Sequence, residues 1–208
     1  MTTPEHAMVG VHLAIACRWN RLWTWRAVAL AAFMSNAPDW DGVPMLFDMG
    51  RFEQGHRVWG HNLTVILLVS VVVALLLNQW DLIGAIGKRI AVNYSSATII
   101  SDPIDGQNRL GFAAALTTAF VSQAMHLPCD VVVSGGGGLS HWHVKPFWPI
   151  ADNGYVYPLI PWGDIGPTII MMAGLIVMAE RQRNMAATAA GSLTIVIVYM
   201  LARKFLMG

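Results

Sequence analysis

The chain has 208 residues, of which 55% are hydrophobic and 12% charged, and its formal net charge is +1. Soluble domains carry about 25% charged residues; a chain this apolar and this nearly neutral is neither disordered nor, with 13 basic residues against 12 acidic, a nucleic-acid reader. Cys17 and Cys129 are the only cysteines, too few for a disulfide framework or a Cys-rich zinc site.

Residues 5–19 and 22–37 form short apolar stretches, the second carrying Arg26 and two tryptophans. Both read as helices that line a bundle or sit partly in the membrane interface. Residues 62–80 have no charge and are almost wholly Leu and Val; about 20 apolar residues cross a bilayer, so this is the clearest span. Residues 110–133 form another span, uncharged until Asp130, and 185–202 another without any charge. The stretch 165–179 is shorter and punctuated by Gly166 and Pro167. The expected fold is all-α, a polytopic transmembrane helix bundle with about four full spans plus two shorter N-terminal helices. It forms one membrane domain over 1–208, with a core at 1–150 and a C-terminal helical hairpin at 164–204.

The N-terminus lacks a basic region, and His6 and His12 interrupt its apolar run, so no cleavable signal peptide is expected. The connections 81–109 and 134–164 are polar. Gly135–Gly138 reads as a plain turn; a phosphate cradle would need a GxxxxGK[ST] pattern, which does not follow. Trp19, Trp23, Trp25, Trp59, Trp80, Trp142, Trp148 and Trp162 all fall at or near helix ends, as an aromatic belt does.

If the helices alternate in direction, His6, Asp39, Asp41, His56, His61, His126 and Asp130 all reach one end of the bundle. His126 and Asp130 are four apart and share a helix face. Imidazole and carboxylate are ligands for Zn²⁺ and similar divalent ions. Ionisable groups at membrane depth are costly and usually functional.

The order of these residues carries a resemblance. An N-terminal His6 near Gly10 is followed by Pro38-Asp39-x-Asp41 and His56-Arg57-x-x-x-His61. Then come His126-x-x-x-Asp130, a Gly-rich turn and Pro146-Phe147-Trp148-Pro149. Over about residues 1–150 the chain resembles the LexA-regulated, membrane-bound metal-dependent hydrolase family. The resemblance implies a helical protein of the bacterial inner membrane with a divalent metal, such as one or two Zn²⁺ ions, and a hydrolase activity. It implies His6, Asp39, Asp41, His56, His61, His126 and Asp130 as metal positions, and Arg57 matches the family's Arg after the first His of the pair. The ligand order is loosely similar to that of zinc-dependent phospholipase C and P1-type nucleases, by analogy only. There are departures. Gly60 and Asn62 stand where the family has Thr and Ser, and Gly42 where it often has His. His141-Trp142-His143 is an addition, either completing a site or lying in the interface.

In an enzyme of this kind, Zn²⁺ lowers the pKa of its water to about 7 and polarises the scissile oxygen. His56, His61, His126 and Asp130 are the expected ligands, with Asp39 or Asp41 bridging metals or acting as general base. Arg57 would pair with an anionic substrate group such as phosphate. A phosphoester or ester of a lipid-like or small-molecule substrate suits a site at the membrane surface, with membrane lipid as the surrounding partner. No GxSxG supports a serine nucleophile. Arg18, Arg21, Arg26, Lys88, Arg89, Arg109, Arg181 and Arg183 lie on the side away from the site. Arg51, Arg57, Lys145, Arg203 and Lys204 lie with it. That bias makes the far side cytoplasmic and the site extracytoplasmic. The non-catalytic alternatives are a haem protein using His12, His61 and His126, a transporter with a proton relay, and a structural protein with a metal clip.

Overall fold

The computed structural model describes residues 1–50, 55–93, 109–134 and 142–207. Arg51, His141, the Gly135–Gly138 run and most of the 81–109 connection lie outside the described residues.

The regular structure is helical. In chain order the helices are α1 (Thr3–Ala16), α2 (Trp19–Leu22), α3 (Thr24–Met34), α4 (Leu63–Gln79), α5 (Leu82–Asn93), α6 (Phe112–Val131), α7 (Gly166–Glu180) and α8 (Met185–Met207). A 3-10 segment, Ala37–Leu46, links α3 to the loop before α4. An isolated antiparallel bridge joins Val144 and Tyr155.

Local sequence sets the helix ends. Thr2 and Glu5 form a capping box at the start of α1, with Pro4 in the first turn. Asn62 caps α4, its Oδ1 accepting from Val65 N at 2.9 Å. The stretch 22–37 holds one helix, α3. Trp23 leaves helical geometry with φ −132° and divides α2 from α3. The connection 81–109 is not wholly irregular either, because α5 opens it. Asp81 Oδ1 accepts from Gly84 N at 3.1 Å in the manner of a cap, and Ile83 packs against the core. An Asp followed by Leu-Ile at helical spacing was the available signal.

Small residues stand between the helices of the bundle, among larger core side chains such as Met34, Ile66 and Met171. Ala14, Ala27, Ala31, Ala74, Ala115, Ala119 and Ala189 are fully buried, while Leu67, Leu68, Val72 and Leu75 on α4 face outward. Large apolar groups outside and small ones between helices is the arrangement of helices packing in lipid, where close backbone approach supplies the contact energy. The closest approach falls at Gly10, where a Cβ would lie 2.5 Å from the Ala31 carbonyl oxygen on α3. Helix α6 packs against α3 and α4, α1 against α3 and α8, and α7 against α8.

Among the described residues, one helical stretch, Gln182–Leu206 (25 residues), is long and apolar enough to cross a membrane. Leu63–Gln79 and Gly166–Glu180 are apolar but shorter. The 17 residues of α4 span about 25 Å, against a hydrocarbon core of about 30 Å. Helix α6 has 20 residues, but Thr118, Ser122, Gln123, His126 and Asp130 line its buried face. The structure thus has fewer full-length apolar helices than the four expected.

The helices alternate in direction. Arg26 at the start of α3 meets Asp81 beyond the end of α4, at 3.1 Å. At the opposite end, Glu5 accepts from Thr168 Oγ1 of α7 at 2.7 Å, and Asp164 accepts from Tyr199 of α8 at 2.7 Å. That second end also receives the 3-10 segment, the loop before α4 and the last turn of α6.

Candidate metal centre

Four groups converge at that end. His6, Asp39, His126 and Asp130 each offer one donor atom, all within 4.8 Å of one another. His61 joins them, its Nε2 lying 3.0 Å from His126 Nε2, 3.3 Å from Asp130 Oδ2 and 3.7 Å from Asp39 Oδ1. His126 Nε2 is 3.3 Å from Asp39 Oδ1 and 3.5 Å from Asp130 Oδ2. The three imidazoles and Asp130 are buried; the Asp39 carboxylate, at 23% exposure, is the most open of the five.

The far nitrogen of each imidazole fixes its tautomer. His61 Nδ1 donates to Asp41 Oδ2 at 2.9 Å, and His126 Nδ1 donates to the Ser35 carbonyl at 2.7 Å. Neither a carboxylate nor a carbonyl can donate in return, so both Nδ1 atoms carry hydrogen in the neutral rings. Both Nε2 atoms then present lone pairs to each other and to the two carboxylate oxygens.

Asp41 sits one step outside this cluster. Its carboxylate accepts from His56 Nδ1 at 3.0 Å, His61 Nδ1 at 2.9 Å, Arg57 N at 3.0 Å and Gly60 N at 3.0 Å. It therefore folds the loop 55–61 around itself, with Arg57 held at a left-handed φ of 62°. Burial raises the Asp41 carboxyl, but the His56 and His61 hydrogen bonds outweigh it and hold the group well below the usual carboxylate range. Asp39 is also lowered, the His126 contact overcoming its burial. His61 is raised, because Asp130 and Asp41 together overcome burial.

The remaining groups brace this arrangement. Arg57 Nε stands 3.1 Å from Asp130 Oδ2, and its guanidinium also reaches Ser134 Oγ and, at 3.4 Å, the Trp142 carbonyl. His6 donates to Asp130 Oδ1 at 3.1 Å, as does the Met1 amine at 2.8 Å, and the His6 ring stacks on His126 with centroids 3.6 Å apart. His56 packs edge-on to Trp142, centroids 5.1 Å apart. His143 is exposed, its Cβ lying against Gly154.

The structure also shows what the departures from the family pattern do. Gly60 is a steric requirement: a Cβ there would lie 2.1 Å from the Pro38 carbonyl oxygen. Asn62 does not take a hydroxyl's place beside the histidine. Its Nδ2 donates to Val58 and Trp59 carbonyls at 2.8 and 2.9 Å, locking the loop to the α4 cap. The backbone carbonyl of Ser35, which orients His126, carries no sequence signal, since any residue supplies a carbonyl.

A helical bundle of small-residue contacts, outward-facing aliphatic side chains and a buried His/Asp cluster at one end defines a membrane-protein class. The chain belongs to the YdjM inner membrane protein family, which matches residues 1–206. The family description gives the inner membrane as its location, and therefore a lipid environment. No curated protein and no solved structure matches the chain significantly.

Proposed function

We propose that this protein is a metal-dependent hydrolase of the inner membrane that cleaves an ester or phosphoester. The observation that supports this reading most strongly is the convergence of four electron-pair donors, with His61 Nε2 and His126 Nε2 each lying 3.0–3.7 Å from the other and from Asp39 Oδ1 and Asp130 Oδ2. Buried lone pairs and carboxylates at that spacing repel unless a proton or a metal cation lies among them. Donors around a tetrahedral ion with bonds of roughly 2.0–2.1 Å stand about 3.3 Å apart, so the residues fit a small divalent ion such as Zn²⁺. A bound ion would supply Lewis-acid activation of water and of the scissile oxygen near neutral pH.

The chain's own groups divide the work. His61, His126 and Asp130 would hold the ion, three protein donors that leave a fourth position to water, and Asp39 stands beside it. Asp41 and the Ser35 carbonyl orient the two imidazoles. Asp39, the most open carboxylate, faces the substrate side and takes the proton. Arg57 positions Asp130 and contributes positive charge where an anionic substrate group arrives. A haem reading has no support in this geometry, since no planar macrocycle fits between two Nε2 atoms 3.0 Å apart.

The test is hydrolysis of bis(p-nitrophenyl) phosphate and p-nitrophenyl acetate by protein in nanodiscs loaded with zinc or manganese. The expected result is metal-dependent turnover, abolished by chelation and lowered at least about 100-fold in Asp39→Asn. Turnover indifferent to both chelator and substitution, or no turnover of either substrate, sinks the hydrolase reading.

We further propose that four helices cross the membrane, the short α4 and α7 by local thinning of the bilayer, and that the site faces outward. The basic residues at the far end, Arg18, Arg21, Arg26 and Arg181 among them, support this sidedness. A cysteine at Gly87 should react with a membrane-impermeant maleimide only after cells are permeabilised. Labelling in intact cells reverses the assignment.

A further inference from the structure

Large apolar side chains stand exposed on the segments that border the site. Trp40 is 60% exposed, Phe47 87%, Trp59 63% and Ile150 88%. These side chains come from three segments that touch one another. Gly60 lies against Pro38, and Trp59 packs on Trp148 with centroids 5.6 Å apart. The rim is also continuous with the bundle's outer surface. Trp40 meets the exposed Phe33 of α3 edge-on at 5.6 Å, and Leu63 N at the start of α4 donates to the Pro146 carbonyl. Asp39 stands on the same 3-10 segment as Trp40, one residue away.

From this we infer that the band around Trp40, Phe47, Trp59 and Ile150 is a docking surface for the acyl chains of a membrane lipid, which places its ester or phosphoryl head at Asp39. The inference rests on the hydrolase reading for the fate of that head, and on the apolar band for the docking itself. Lipid is the fitting occupant because the Trp40–Phe33 contact joins the band to helix faces that belong to an inner membrane protein. Exposed Trp and Phe at such a boundary seat at the level of lipid headgroups and upper chains.

Two measurements decide it. In nanodiscs of phosphatidylglycerol with brominated acyl chains, the emission of Trp40 and of Trp59, taken as wild type minus W40F and wild type minus W59F, should be quenched. Quenching by aqueous iodide instead overturns the docking surface. In the second measurement, Phe47→Asp and Ile150→Asp should each lower the ratio of turnover on vesicle-borne phosphatidylglycerol to turnover on bis(p-nitrophenyl) phosphate roughly tenfold, the loss expected from one buried aromatic or aliphatic side chain. An unchanged ratio overturns the lipid as substrate. A wild type inactive on both substrates sinks the hydrolase reading alone, and the quenching result still decides the docking surface.

Discussion

Replacing His126 with alanine is expected to strip the purified protein of zinc. In wild type, metal analysis of detergent-purified material should return about one equivalent per chain, since three protein donors and a water suit one tetrahedral ion. Losing a direct donor exceeds the cost of losing a group behind it, which is 10–100-fold in affinity as a rough range, so His126→Ala should weaken binding by more than about 100-fold. His61→Ala should match it, because His61 Nε2 and His126 Nε2 lie side by side at 3.0 Å. The control is His12→Ala. His12 is fully buried, and its Nδ1 is bound to the Met8 carbonyl at 2.8 Å on α1. That variant disturbs packing without touching the cluster, and it should keep its zinc. Equal metal content in wild type and His126→Ala refutes the centre. Loss in all three variants would instead mean unfolding, which a thermal melt of each separates.

What the sequence could reveal of this centre follows from geometry. Alternating helix directions brought residues from 6 to 130 to one end, and the four-residue spacing of His126 and Asp130 put both on the inner face of α6. Which side of the cluster each group occupies was not legible. Asp39 and Asp41 look equivalent in Pro-Asp-Trp-Asp, yet they lie two apart on a 3-10 segment, where successive residues turn by about 120°. They therefore diverge, Asp39 toward His126 and Asp41 toward the loop holding His56 and His61. His56 and His61 look like a pair as well. The left-handed turn at Arg57 brings His61 to the centre and leaves His56 on Asp41, and nothing in the pattern His-Arg-x-x-x-His announces a positive φ. Helix lengths were legible only where aliphatic runs were long. The polar inner face of α6 depends on contacts from other helices, which hydropathy does not encode.

The second large effect is expected at Asp41. In the proposed centre Asp41 does not touch the ion; it accepts the Nδ1 hydrogen of His61 and so keeps the Nε2 lone pair aimed inward. Asn at this position keeps the size but halves the accepting capacity and can turn an NH₂ toward the imidazole. His61 then loses its fixed tautomer, and a fraction of the rings present N–H where a lone pair is needed. Zinc affinity should fall about 10–100-fold, measured by competition with a chromophoric chelator. A purely structural role predicts a lower melting temperature with affinity intact, so affinity is the deciding readout. Cobalt substitution adds a second. If Asp41 acts from behind His61, the cobalt absorption bands of Asp41→Asn keep their tetrahedral intensity once the site is saturated. If Asp41 is itself a ligand, those bands change with the substitution, and its oxygen must have moved to the centre in place of one of the three protein donors named here. Asp41→Glu should restore part of the affinity, because it returns a second accepting oxygen to the loop. That recovery would separate orientation of His61 from the four hydrogen bonds by which Asp41 merely holds the loop 55–61 together.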